Sequence, residues 1–311
     1  MRLFRRRDQE PDPPIPEWAS FFDREEYRAF LGVVDLTLEA LGHERTWGDG
    51  VVEIEVDGEP VQLGLSNLAQ TLRGAPHEEW NGLAAAHFGA VTNQPDAGDM
   101  GVEEARAILK LRLWARDQLP ENLELVAKPF ADDLLVVLAL DFPQSVTNAK
   151  PDHLAAWGLS EEQAFAIAER NTRAEPGLET EPAELGDGAV AWLTIGDSFF
   201  TASQVLWPEQ TAGEIPPNGA LVAVPNRHVA WIHPITDLRV VGVVTTSAQW
   251  AHGNFVDGPG SISPHLYWWR PGEVRRIQTE VTDDAVQITP PDEFVELLNQ
   301  LGEQEPDDGP R

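Results

Sequence analysis

The chain of 311 residues contains no cysteine. That absence excludes disulfide bonds, thiolate nucleophiles and the zinc and iron–sulfur sites that depend on cysteine ligands. Basic residues are scarce as well, because 22 lysines and arginines stand against 52 aspartates and glutamates, giving a formal net charge of −30. A surface with this excess of negative charge repels phosphate backbones, so we expect no binding to nucleic acid.

Long hydrophobic runs are also missing. The longest uninterrupted apolar run covers residues 134–140, whereas a membrane-spanning helix needs about 20 apolar residues. Arg5, Arg6 and Arg7 form a dense basic run, but a charge-based membrane contact takes about 4–8 such residues. A polar, proline-rich segment follows them in place of a secretory signal. We therefore expect no membrane association and a cytoplasmic location.

The apolar residues follow both helical and strand periods. Helical spacing predicts helices over residues 27–41, 66–74, 78–91, 102–119, 160–168 and 292–301. Alternating or short continuous apolar segments predict strands over residues 52–56, 61–65, 123–128, 134–140, 189–195, 221–224, 229–233, 266–270 and 274–277. Asp57-Gly58, between the first two strands, is typical of a hairpin turn. Segments 93–101 and 174–188 are rich in turn residues and predict loops.

This order of elements predicts an α+β fold. A mostly helical N-terminal half with a β-hairpin precedes a mixed, largely antiparallel sheet covered by helices. We place the helical region at residues 15–120 and the sheet region at residues 121–302. Residues 1–14 and 303–311 offer few apolar side chains to pack and predict disordered tails.

One segment resembles a catalytic motif. Ile195-Gly196-Asp197-Ser198-Phe199 is similar to the start of a GDSL-type hydrolase, in which a nucleophilic serine needs a base and an orienting acid within reach. That class carries its serine near the start of the domain and an Asp-x-x-His pair near the end, and neither holds here. We therefore interpret the segment as a strand-to-helix turn.

The eight histidines form no metal-binding pattern. His77 lacks the second histidine of the zincin spacing, because position 81 is an asparagine. His228 and His233 are five residues apart on a predicted strand and so point to opposite faces. His252 and His265 flank a loop without supporting acids. Glycine-rich nucleotide-binding motifs are absent too, so we expect neither a metal nor a cofactor.

Several short stretches occur in one order between about residues 50 and 270. They are Val61-Gln-Leu-Gly-Leu-Ser-Asn-Leu68, Val126-Ala-Lys-Pro-Phe130, residues 134–141, Trp157-Gly-Leu-Ser-Glu-Glu162, Ala168-Glu-Arg-Asn171, Gly196-Asp197, Ala202-Ser203, Ala223-Val-Pro-Asn-Arg227 and Ile262-Ser-Pro264. Together they resemble the YtpQ-like family of uncharacterised bacterial proteins. The family pattern has an acid after its Pro-x-Arg element and before its Ala-Ser pair, where this chain has His228 and Thr201. The resemblance implies no established activity.

Two functions of different classes follow from these observations. The acidity, the 11 tryptophans and the lack of a complete catalytic constellation favour a non-catalytic module that binds another protein. The alternative is an enzyme or a binder of a small anionic ligand that uses polar residues of the C-terminal half, namely Asp141, Asn171, Asp197, Ser203, Asn226 and Arg227. Within this set we expect Arg227 to pair with Asp197 or Asp141. The oligomeric state stays open.

Overall fold

The protein is described from a computed structural model. The described residues are 14–48, 50–56, 59–92, 97–119, 123–143, 145–282 and 285–304. Most of the two predicted tails, with Arg5, Arg6 and Arg7, lies outside these residues, as does the Asp57-Gly58 turn. The chain divides into two compact units, Met1–Gln94 and Pro95–Arg311, whereas the sequence predicts a boundary after residue 120.

The first unit combines a three-stranded sheet with helices. Its elements are α1 (Arg24–Ala40), β1 (Arg45–Trp47), β2 (Val51–Val56), β3 (Glu59–Gly64), α2 (Ser66–Arg73) and α3 (Trp80–Thr92). The strands pair antiparallel in the order β1-β2-β3, which confirms the predicted hairpin. A capping box of Asp23 and Glu26 begins α1. Phe30, Val34 and Leu38 of this helix are buried in the core of the unit.

The second unit contains the remaining elements. They are α4 (Val102–Ile108), β4 (Leu109–Ala115), β5 (Ala127–Pro129), β6 (Leu134–Phe142), β7 (Ser145–Asn148), α5 (Pro151–Trp157), α6 (Glu161–Arg173), β8 (Glu179–Glu184), β9 (Val190–Ile195), α7 (Pro208–Ala212), β10 (Ala220–Ala223), β11 (Val229–Pro234), α8 (Val240–Asp257), β12 (Leu266–Arg270), β13 (Glu273–Val281), β14 (Val286–Thr289) and α9 (Asp292–Gln304). A 3-10 helix, Thr201–Leu206, precedes α7.

These strands form two sheets. One has seven strands in the order β14-β13-β12-β10-β11-β9-β8, and the other has the order β4-β6-β5 with β7 also paired to β6. The strand pairs of the described residues are antiparallel. The α+β class predicted from the sequence is therefore confirmed.

Both faces of the seven-stranded sheet are covered. On one face, Leu221 and Trp268 pack in a core with residues of α8 and α9. On the other, Val222 and Tyr267 join a core that includes β4, β6, α5 and α6. The apolar character of β10 on both faces follows from this placement between two layers.

Two predictions from the sequence are wrong. The helix predicted over residues 102–119 ends at Ile108 and continues as β4, because leucines and polar residues alternate with a period of two from Leu109. The loop predicted over residues 174–188 contains β8. This strand lies at the sheet edge and is mostly exposed, with glutamates and Pro182, so it carries no apolar alternation that would reveal it.

The outer edge of β4 is paired by side chains instead of by a strand. The Thr172 hydroxyl accepts a hydrogen bond from the Leu111 N–H at 2.8 Å, and the Ser203 hydroxyl donates to the Leu111 carbonyl at 2.8 Å. The Asn171 amide donates to the Leu109 carbonyl at 2.9 Å. These bonds satisfy buried backbone groups that an edge strand would otherwise leave unpaired.

Replacing Thr172 by valine tests this edge. Thr172→Val keeps the shape of a fully buried side chain but removes the acceptor of the Leu111 N–H. A buried donor left unpaired costs about 1–3 kcal/mol, so we expect a loss of this size in the free energy of unfolding, measured by urea denaturation. Thr246→Val is the control, because Thr246 is exposed and bonds its own helix at Gly242. An equal loss in both variants would contradict the pairing.

Candidate functional site

Strand β4 carries two cationic side chains and a tryptophan on the face opposite the core. Lys110, Arg112 and Trp114 alternate with buried leucines. The ammonium of Lys110 lies 2.5 Å from the Glu175 carboxylate and donates to the Asn171 carbonyl at 3.0 Å. The charge of Lys110 is therefore balanced inside the fold.

Arg112, two residues along the same face, has no such partner. Its guanidinium lies over the Trp114 ring, 4.1 Å from the centroid. Within the described residues, no carboxylate lies within 4.0 Å of this guanidinium. Burial, followed by the charge of Arg227, lowers the pKa of Arg112 to about 10. The group is still protonated at neutral pH, so its positive charge is uncompensated there.

Arg227 lies in the turn between β10 and β11 and is held on several sides. Its Nε donates to Nε2 of His228 at 2.9 Å, and its guanidinium lies 4.0 Å from the centroid of the Phe199 ring. Its backbone N–H donates to the Gly260 carbonyl at 3.0 Å. Burial lowers the pKa of Arg227 to about 10 as well.

The expected ion pair of Arg227 with Asp197 or Asp141 is wrong. In the part of the chain that the structure describes, no carboxylate comes within 4.0 Å of Arg227. Asp197 is exposed. Asp141 is half-buried, and its pKa is raised by burial and by Glu175, with Lys110 opposing the rise. The side chain of Arg227 is instead fixed by an imidazole and an aromatic ring.

Consecutive residues of the 3-10 helix connect the two arginine-bearing segments. The backbone N–H of Ala202 donates to the Arg227 carbonyl at 3.1 Å, and the Ser203 hydroxyl bonds the Leu111 carbonyl. Leu111 directly precedes Arg112, so these bonds hold the two arginines in neighbouring positions. We refer to Arg112 and Arg227 as the arginine pair.

His228 is held as a neutral imidazole. Its Nε2 accepts from Arg227, so Nδ1 carries the proton and donates to the Gly196 carbonyl at 2.9 Å. Burial, followed by the charge of Arg227, lowers the pKa of His228, while the Gly196 bond and Asp197 oppose that change. Both ring nitrogens are therefore occupied by partners within the fold.

Three of the predicted site residues have structural roles. Asn171 and Ser203 bond the edge of β4. The Asn226 amide donates to the Asn254 carbonyl at 3.0 Å and its oxygen accepts from the His228 N–H at 3.0 Å. Arg227 belongs to the arginine pair, and Asp141 lies within the influence of Lys110 and Glu175.

The serine motif forms a strand-to-helix turn, as the sequence predicts. It follows β9 and leads into the 3-10 helix. The Ser198 hydroxyl donates to the Glu175 carboxylate at 2.7 Å and accepts from the Phe200 N–H at 3.1 Å. These bonds tie the turn to the segment that follows α6, and the partner of the Ser198 hydroxyl is a carboxylate instead of the histidine of a hydrolase triad.

Two open depressions lie on the surface of α4 and α6. One is lined by Glu103, Arg106, Ala107, Ile167 and Arg170, and the other by Ala166, Glu169, Arg170, Arg173 and Ala174. Among the described residues, no cluster of three or more potential ligands could hold a metal ion. No helix in the described ranges has the length and apolar content to cross a membrane.

Comparison with known proteins identifies no relative: no family model, no curated protein and no solved structure matches the chain. The resemblance to the YtpQ-like family therefore stays a prediction. The candidate site rests on the geometry of the arginine pair and its surroundings.

Gly260 tests how Arg227 is positioned. Gly260 has φ +71°, and a Cβ there would lie 2.7 Å from Cδ of Arg227. Gly272 is the matched control, because it has φ +81° and a Cβ there would meet no atom within 4 Å. Each change to alanine should cost about 1–2 kcal/mol for the left-handed backbone, and Gly260→Ala should cost more because Arg227 must move.

The free energy of unfolding of both glycine variants can be measured by urea denaturation. Equal losses in the two variants would mean that the Arg227 side chain moves away from Gly260 without penalty.

His228 makes stability depend on pH in a defined direction. Because its pKa is lowered from 6.5 in the folded chain, the unfolded chain takes up this proton first as the pH falls. Well above pH 6.5, His228 therefore does not make the free energy of unfolding depend on pH. Its contribution to that free energy decreases as the pH falls from 6.5 through the folded pKa. In the His228→Gln variant, which keeps one donor and one acceptor, the free energy of unfolding should decrease less between about pH 7.5 and about pH 5.5. An unchanged pH dependence would contradict the shift.

Proposed function

We propose that the second unit binds a small anionic ligand at the arginine pair. The observation that carries this proposal is that two neighbouring, partly buried guanidiniums have no carboxylate within 4.0 Å in the described residues. The chain has 52 acidic residues, so carboxylates to pair them are abundant in its sequence.

The energetic argument starts from the cost of burying charge. A partly desolvated cation without a counter-charge destabilises a fold, and a second cation beside it adds repulsion. On the same strand face, the buried charge of Lys110 is neutralised by an ion pair with Glu175. A counter-charge supplied by a ligand explains why the arginine pair differs from Lys110.

The surroundings of the pair support binding over catalysis. His228 is the nearest titratable group on Arg227, and partners within the fold occupy both of its ring nitrogens. It therefore orients Arg227 without serving as a free base. The alternative expectation, a module that binds another protein, stays a prediction: the exposed large apolar side chains among the described residues are spread over different elements, including α1, β9, α8 and α9.

Thermal unfolding with simple anions tests the proposal. Sodium salts of phosphate, sulfate, succinate and acetate are compared with sodium chloride at constant ionic strength, because salt alone also screens a chain of charge −30. A ligand at 100 times its dissociation constant stabilises a fold by about 2.7 kcal/mol. We expect at least one of these anions to raise the melting temperature above its chloride value.

Arg112→Gln and Arg227→Gln should each abolish that specific increase. Arg170→Gln removes the same charge from an exposed position on α6 and should preserve the increase. Loss of the effect in Arg170→Gln alone would place anion binding at the depressions on α4 and α6. The absence of any anion-specific increase in the wild-type protein would contradict the proposal.

A further inference from the structure

The charge of the arginine pair limits what the ligand can be. This step rests on the proposed function. Arg112 and Arg227 together carry two positive charges with no acid within 4.0 Å among the described residues. A monoanion would leave one of these charges uncompensated, whereas a dianion neutralises both.

The free donors of the pair also favour a ligand with several acceptor oxygens. One face of each guanidinium lies against an aromatic ring, Trp114 for Arg112 and Phe199 for Arg227. Ligand oxygens are therefore bound at the edges of the guanidinium planes, where the N–H groups form a fork. His228 uses the Nε donor of Arg227, which leaves the two terminal nitrogens of that group as donors.

Two such forks need more acceptor oxygens than one carboxylate has. A carboxylate offers two oxygens in one plane and fits a single guanidinium in the bidentate manner. A phosphoryl group offers three terminal oxygens in a tetrahedral arrangement, so two guanidiniums can each bind a pair of oxygens from different sides. A sulfate monoester has the same shape but carries a single negative charge, whereas a phosphate monoester approaches two at neutral pH. We infer that the ligand of the arginine pair carries a phosphoryl group.

The exposure of Phe199, whose ring lies beside the Arg227 guanidinium, indicates where the rest of such a ligand lies. Phe199 is 38% exposed, in contrast to the buried Phe200 that follows it. The organic part of a phosphomonoester can therefore extend towards solvent past Phe199. Inorganic phosphate would bind at the same donors without using this opening.

Isothermal titration calorimetry on the full chain tests the inference. Phosphate, glycerol 3-phosphate, succinate and acetate are titrated at one pH and one sodium concentration. We expect phosphate or glycerol 3-phosphate to bind at least about tenfold more tightly than succinate and acetate, the ratio expected from one additional charge-assisted hydrogen bond. Tighter binding of glycerol 3-phosphate identifies a phosphomonoester as the ligand, and tighter binding of inorganic phosphate identifies the free ion.

Arg112→Lys and Arg227→Lys keep the charge but remove the fork. Each should reduce the affinity for phosphate about tenfold or more, because an ammonium is a point charge without bidentate geometry and phosphate uses both forks. The affinity for acetate should stay within about threefold, because acetate needs one fork and the remaining arginine still supplies it. Arg170→Lys is the control and should change neither affinity. If succinate or acetate binds as tightly as both phosphate compounds, the phosphoryl inference is wrong and the proposed function stands. If no anion binds, both are wrong.

Discussion

The side chains of Asn171, Thr172 and Ser203 hydrogen-bond the backbone of Leu109 and Leu111 along one edge of β4. No strand of the described residues pairs with that edge. These bonds fix β4 against α6 and the 3-10 helix, while β6 fixes its other edge. Register matters here because a shift of one residue would exchange the two faces of the strand. The leucines would then leave the core, and the cations of β4 would enter it.

The fixed register also separates charges along one strand face. Lys110 lies next to Glu175. Burial, followed by the charge of Glu175, raises the pKa of the nearby Asp141. Arg112, two residues further along the strand, lies close enough to Arg227 for the two positive charges to repel each other. The face therefore changes from a compensated cluster to an uncompensated positive one within two residues. In a chain of charge −30, the proposed function depends on this local excess of positive charge, because the field of the whole protein repels anions.

Local signals make much of the fold predictable. The β2–β3 hairpin follows from alternation around a turn dipeptide, and α6 follows from its capping box of Ser160 and Gln163. Helix α8 is not predicted, because its first two turns are rich in valine and threonine, which favour strands in isolation. Packing of Val240, Val243 and Val244 against the seven-stranded sheet stabilises the helix despite that preference.

The site is less predictable for a related reason. Arg227 is conspicuous after Pro225-Asn226, but its neighbour Arg112 lies far away in the sequence, in a segment whose many leucines also fit a helical stripe. The strict alternation of Leu109-Lys-Leu-Arg-Leu-Trp-Ala115 is the signal that identifies the strand and its polar face. Which residues that face meets depends on tertiary contacts, and a periodicity cannot specify them.

The loop after α8 restricts the position of the Arg227 side chain. Asn226 bonds the Asn254 carbonyl near the end of α8, and a Cβ on Gly258 would collide with the Asn226 amide. Gly260 then places its backbone against the Arg227 side chain. Arg227 is therefore held by a loop that the helix anchors, and little side-chain freedom remains to be lost on binding. Under the proposed function, a cation held in place in this way increases the affinity for the anion at the expense of the stability of the ligand-free fold.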